Sequence, residues 1–297
     1  MTKQIPQKSP LKSHFKNFFA ILFILIGFSN QQLLAATSVA EQTLIQGGIP
    51  HGWKKVWSEE FSINGLPNEK IWNYDISRNK IGWHNNEAQY YSQKRLKNTV
   101  IKNGHLLITA YKEDLSSFAD WGGQKYSSAR IDTKNKKQWL YGFFEIRAKL
   151  PCGGGTWPAL WMLGESGSWP AQGEIDIMEH IGPKPGVIMG TIHNSAFFAD
   201  KGKTGNTLIP SSCSQFHRYQ MRWDKDRITF GVDDKNYHQY INPMDGKKET
   251  WPFDQNFYFI INLAIGGNLG GPIDDKIFPV TLDVDYIRIY QPVNSVK

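Results

Sequence analysis

In the segment 144–150, Phe144, Ile146, Ala148 and Leu150 alternate with Glu145, Arg147 and Lys149. That two-residue period belongs to a half-buried β-strand, because successive side chains on a strand point to opposite faces. Ile228, Phe230 and Val232 repeat it, with Thr229 and Gly231 between them. Segments 106–111, 187–193, 258–264 and 282–290 are further strand candidates. Turn-forming clusters at Asn103-Gly104, Asp233-Asp234 and Gly266-Gly267-Asn268 divide them. No long segment keeps a helical period. Many short strands with glycine-rich turns must bury their apolar faces against another sheet or by closing on themselves, so the chain is expected to be all-β, a sandwich or barrel.

A length of 297 residues with 40% hydrophobic and 21% charged content is that of ordinary globular material. Residues 53–292 contain no linker, repeat or low-complexity tract and read as one domain, after a short lead-in at 41–52 and before a tail at 293–297. The first forty residues are different. Lys3, Lys8, Lys12 and Lys16 precede an apolar run over 18–28 that ends at Ser29-Asn30-Gln31-Gln32. Eleven residues fall well short of the roughly 20 that a membrane span needs. The layout is that of a signal peptide over 1–40, with cleavage expected near Ala36 or near Ala40, and the mature protein is expected to be secreted or periplasmic and not membrane-bound. Loss of the segment's four lysines takes the formal charge from +7 to +3. With no concentrated basic stripe, nucleic acid is not an expected partner, and a monomer is expected. The two cysteines, Cys152 and Cys213, are either one disulfide, the expected state of an exported chain, or two isolated thiols.

The densest chemistry lies in Glu174-Ile175-Asp176-Ile177-Met178-Glu179. On a strand, Glu174 and Asp176 share one face while Ile175 and Ile177 face the core. Glu179 stands at an odd offset from Glu174 and falls on the wrong face unless a β-bulge near Met178 adds one residue. With that bulge the two glutamates sit roughly 13 Å apart at Cα. Side chains leaning together then bring the carboxyls to on the order of 5 Å, the separation of a retaining glycosidase pair. Glu174 is therefore assigned as nucleophile, Glu179 as general acid and later base, and Asp176 as the group between them that hydrogen-bonds the nucleophile and raises its neighbours' proton affinity. The competing reading of three like charges on one face is a solvated acidic strand or a calcium site. Upstream, strand parity sets Trp157 and Trp161 opposite Leu160 and Met162. Tryptophans beside a carboxylate row suit the apolar C–H face of a sugar, and Trp169 is a third of this kind.

These segments resemble glycoside hydrolase family 16, in its laminarinase-like branch. The resemblance rests on Glu-Ile-Asp-Ile-Met-Glu-His at 174–180, whose inserted Met the lichenase branch lacks. It rests also on Trp83-His84-Asn85-Asn86-Glu87-Ala88-Gln89-Tyr90-Tyr91, Ser128-Ala129-Arg130-Ile131, 155–163 and Asn262-Leu263-Ala264-Ile265-Gly266-Gly267-Asn268, all in family order. It implies a jelly-roll β-sandwich of two curved antiparallel sheets with a concave substrate cleft, and endo-cleavage of a β-1,3-glucan or of mixed β-1,3-1,4 chains. By position in the matching motifs, Asn85, Arg130, Trp157, Trp161, His193 and Asn262 become substrate contacts. The resemblance also implies a structural calcium ion around Glu60, Gly104 and Asp285, whose oxygen ligands suit it, while the reaction itself needs no cofactor. Leu269 stands where relatives often carry Trp, which puts a platform at one end of the cleft in doubt. Galactan hydrolases of the agarase or carrageenase type and transglycosylases are alternatives on the same fold. A non-catalytic glucan-binding protein is the alternative of another class, and the three carboxylates count against it.

Overall fold

The computed structural model describes residues 48–293. The signal peptide, most of the lead-in and the last four residues of the tail lie outside them. Among the described residues the chain runs through seventeen strands. The first eight are β1 (Trp53–Glu59), β2 (Asn73–Tyr74), β3 (Gln89–Tyr91), β4 (Thr99–Lys102), β5 (His105–Lys112), β6 (Tyr126–Ser128), β7 (Arg130–Asp132) and β8 (Gly142–Lys149). Then follow β9 (Thr156–Gly164), β10 (Glu174–His180), β11 (Val187–His193), β12 (Lys203–Leu208) and β13 (His217–Trp223). β14 (Arg227–Val232), β15 (Lys235–Ile241), β16 (Phe257–Ile265) and β17 (Val280–Pro292) complete the series.

The strands form two sheets, antiparallel except for the β3–β6 pair. One sheet of ten runs β15-β14-β13-β8-β17-β5-β6-β3, with β1 on β17 and β4 on β5. The other, of seven, runs β12-β11-β10-β9-β16-β7-β2. One large core joins them: Phe144, Ile146, Ala148, Tyr219, Met221, Trp223, Ile287 and Ile289 from the first sheet pack in a cluster with Leu160, Met162, Ile175, Ile177, Phe259, Ile261 and Leu263 from the second. The fold is the expected jelly-roll sandwich, and no described helix is long and apolar enough to cross a membrane.

β16 is buried along all nine residues because both of its faces are covered. Phe257, Phe259, Ile261, Leu263 and Ile265 enter the core, while Tyr258 and Ile260 form a second cluster with Leu163 on the opposite face, against which Trp161 packs. The tight turns follow from residues that accept a left-handed backbone. Asn103 and Gly104 have φ of 54° and 80° where β4 turns into β5, and Asp233 and Asp234 have 49° and 66° between β14 and β15.

On the solvent face of the ten-stranded sheet the residues that alternate with the core pair off electrostatically. Glu145 accepts hydrogen bonds from Gln220 Nε2 (2.8 Å) and Tyr286 Oη (2.9 Å). The expected calcium donors belong to this same lattice. The Glu60 carboxylate grips Arg288 through both oxygens, at 3.0 and 2.8 Å, and lies 3.3 Å from Lys55, while Asp285 pairs with Arg147. Both carboxylate charges are thus matched by arginine.

Cys152 and Cys213 form a disulfide across a sequence separation of 61, tying the segment ahead of β9 to the segment ahead of β13. Cross-linking a loop of that length removes denatured-state entropy worth about 4 kcal/mol. Replacing both cysteines by Ser is expected to lower the unfolding free energy by about that amount, read from urea denaturation midpoints. An unchanged midpoint would show that the bond contributes nothing.

Candidate active site

β10 carries the three carboxylates, and its register shows how. Glu174, Ile175 and Asp176 pair with Leu163, Met162 and Trp161 of β9, after which the register slips so that Met178 faces Leu160 and Glu179 faces Ala159. The pairing with β11 slips at the same place. Ile177 and Met178 therefore both point into the core, each almost fully buried, and Glu179 returns to the face of Glu174 and Asp176. The expected bulge is present, and it is driven by two successive apolar side chains claiming the interior.

Each glutamate has its own indole. Trp157 Nε1 donates to Glu179 Oε1 at 2.9 Å, and Trp169 Nε1 donates to Glu174 Oε2 at 2.6 Å. His193, directly opposite Glu174 on β11, places Nε2 3.3 Å from Asp176 Oδ2. Burial is the first cause of raised proton affinity in all three acids. After it, the charge of Asp176 raises Glu174, and that of Glu179 raises Asp176. Glu179 is held at about 7, burial raising it most, the Trp157 hydrogen bond opposing that, and Glu174 adding to it. Glu174 and Asp176 are hydrogen-bonded to each other, and both lie well above the usual carboxylate range. Their shared hydrogen bond raises Glu174 and lowers Asp176, so the two groups titrate as a unit.

The other expected contacts fall into two groups. Trp157, Trp161, Trp169 and His193 stand on the carboxylate face, and Trp169 is the most open of them at 46% exposure. Trp157 is largely buried, held between Glu179 and the turn after β16, where Gly267 packs against Asn85, Glu87 and Trp157. Asn85 lies exposed on the short turn His84–Asn86, and its neighbour Asn86 hydrogen-bonds Asn268 at 2.8 Å. Leu269, in the following turn, is 37% exposed. Asn262 is different: it is buried, with Oδ1 accepting from Trp161 Nε1 (2.7 Å) and Nδ2 donating to Tyr91 Oη (3.0 Å). Its amide is spent on fixing Trp161. Arg130, paired across the strand with Asn262, carries its guanidinium 4.7 Å from the Trp161 ring centroid and pairs with Asp75 at 3.1 Å.

Three participants were not singled out from sequence. Glu87 is a carboxylate whose proton affinity is raised by burial, and its charge raises Glu179 in turn. Its place in the Trp83–Tyr91 motif was the available signal. Tyr91 is fully buried, and only the fold brings it to Asn262. Phe198 is 42% exposed and meets Trp169 edge-on at 5.7 Å, from a loop that has no periodicity to read.

Residues 79–277 match the Glycosyl hydrolases family 16. A β-glucanase of Rhodothermus marinus is 42% identical over 255 residues, spanning 82% of this chain and 86% of that protein. A glucan endo-1,3-β-glucosidase of Cryptopygus antarcticus is 38% identical over 262 residues, spanning 80% and 92%. The crystal structure of SCLam, a non-specific endo-β-1,3(4)-glucanase, superposes with a TM-score of 0.80 at 47% identity, over 83% of this chain and 94% of that one. A jelly roll bearing this carboxylate strand defines a glycoside hydrolase. The chain belongs to glycoside hydrolase family 16.

A general acid must be protonated to act, so turnover that depends on Glu179 is expected to fall as pH rises through about 7. In Trp157→Phe the carboxylate loses the donor that favours its charged form, so the alkaline limb of the kcat/KM profile is expected to move to higher pH. A limb that stays in place or moves down would remove Trp157 from the control of this group.

Proposed function

We propose that this protein is a retaining endo-β-1,3-glucanase that also accepts mixed β-1,3-1,4 chains. The observation that carries the reading is the bulged strand that sets Glu174 and Glu179 on one face with different environments. The relatives' activities on β-1,3- and β-1,3(4)-glucans support the choice of polymer.

In the first step the ionised Glu174 carboxylate attacks the anomeric carbon, while Glu179 gives its proton to the departing glycosidic oxygen. The bond to the aglycone breaks as the glycosyl-Glu174 ester forms. In the second step Glu179, now a carboxylate, takes a proton from water, and the resulting hydroxide equivalent displaces Glu174 with a second inversion. For Glu174 to attack, the proton that the resting pair keeps on Glu174 passes to Asp176, which then hydrogen-bonds the carboxylate before attack and again as it leaves in the second step. Trp169 donates to the same carboxylate and Trp157 to the acid, so each group is oriented before substrate arrives.

Glu174→Gln is expected to abolish cleavage of laminarin without loss of folding, and Glu179→Ala to regain cleavage of an activated aryl β-glucoside when azide is added, since that leaving group needs no acid. Rapid shortening of laminarin by the parent protein, lost in Glu174→Gln, supports the reading. Cleavage confined to agarose or carrageenan overturns the substrate, and binding without cleavage overturns catalysis.

Export is part of the proposal. The basic head, short apolar run and small residues of 1–40 support it, as does the Cys152–Cys213 pairing, which is at home in an oxidising compartment. N-terminal sequencing of the protein from periplasm or culture fluid is expected to begin near Thr37 or Glu41, and an intact Met1 there would contradict cleavage.

A further inference from the structure

We propose that the nucleophile end of the cleft is also a binding site for a divalent transition-metal ion of the zinc type, held by Glu174, Asp176 and His193, and that the bound ion excludes the sugar. One ligand atom from each of these three residues lies within 4.8 Å of the other two. Asp176 Oδ2 is buried with no hydrogen-bond partner and faces His193 Nε2 at 3.3 Å. Two ligands at about 2.0–2.1 Å from a tetrahedral zinc stand roughly 3.3–3.4 Å apart, so this pair already has the spacing of a coordination edge.

The donor set chooses the class of ion. One imidazole and two carboxylates suit zinc and its neighbours in the first transition row, whereas calcium and magnesium prefer oxygen throughout. A dication also settles the electrostatics, because it neutralises two neighbouring carboxylates at once. Trp169 Nε1, donating to Glu174 Oε2, supplies the outer hydrogen bond that orients a ligating carboxylate. The fourth position opens to the cleft, where a water completes the shell. A second cluster, Cys152, His180 and Cys213, has comparable proximity, but its two sulfurs are joined in the disulfide and offer no thiolate.

The ion binds where Glu174 must meet the anomeric carbon, so metal and substrate compete. This rests on the geometry of three side chains and not on which glucan is cleaved. The test is calorimetric titration of zinc chloride into the full, oxidised protein in the absence of sugar. One zinc per chain is expected. Asp176→Asn and His193→Gln should each weaken binding by at least about tenfold, and Asp226→Asn, whose carboxylate pairs with Lys225 in the turn between β13 and β14 of the other sheet, by less than about threefold. Thermal melts establish that each variant is folded, and His193→Gln alone suffices if Asp176→Asn is not. In steady state zinc should raise the apparent KM at unchanged kcat, with chelator restoring it. Absence of saturable binding, ligand variants as tight as the parent, or a loss of kcat at constant KM would each overturn the proposal. Because the titration contains no sugar, its failure leaves the catalytic assignment standing, and failure on laminarin leaves the metal site standing.

Discussion

Everything at this site depends on holding three carboxylates, Asp176 buried and the two glutamates part-buried, on one face of one strand. Like charges on one face repel, and desolvation adds to the cost of each. The chain meets that cost by keeping protons. Burial holds Glu179 at about 7 and drives Glu174 and Asp176 well above the usual range, so the face carries far less charge near neutral pH than its composition implies. The same feature divides the labour. Glu174, the proposed nucleophile, is hydrogen-bonded to Asp176, whereas Glu179, the proposed acid, lies further along the strand with the Trp157 indole as its donor.

The bulge and the inserted methionine are one device. In a regular strand, residues at offsets of two and four from Glu174 share its face, so a carboxylate five positions on needs one residue taken out of the alternation. Ile177 and Met178 do this by both entering the core. The interior is thus what places the acid, since a polar residue at Met178 would have no reason to turn inward. A packing preference, not a contact between the catalytic groups, sets the distance between them.

How much of the molecule is legible in its sequence depends on where each signal resides. β8, β14, β16 and β17 were legible because each keeps a core face along its length, and the turns at Asn103-Gly104 and Asp233-Asp234 because their residues accept positive φ. β12 was not, since Lys203–Leu208 lies at a sheet edge, half exposed, with no apolar alternation. At the site, β10 and β9 could be read from parity alone. Asn262, by contrast, matched a contact motif but turns its amide to Trp161 and Tyr91. Tyr91 lies 171 residues away in sequence, and no local pattern encodes such a meeting. The surroundings of Glu60 and Asp285 were hidden for a related reason: both have the chemistry of calcium donors, and sheet pairing brings Arg288 and Arg147 to them.

The floor of the cleft and the outer cluster of the sheet are the same residues. Trp161 packs on Leu163, Tyr258 and Ile260, donates to Asn262, and receives the Arg130 guanidinium on its ring. Asp75 balances that guanidinium, and Tyr91 fixes Asn262 from behind. An indole restrained on all these sides keeps its position whether or not a sugar lies on it, so little ordering entropy remains to be lost on binding. Trp169 is more exposed, with one hydrogen bond to Glu174, a tilted ring contact to His193 and an edge contact to the exposed Phe198. The cleft therefore joins a rigid platform, built into the sheet, to a more open aromatic wall at the nucleophile.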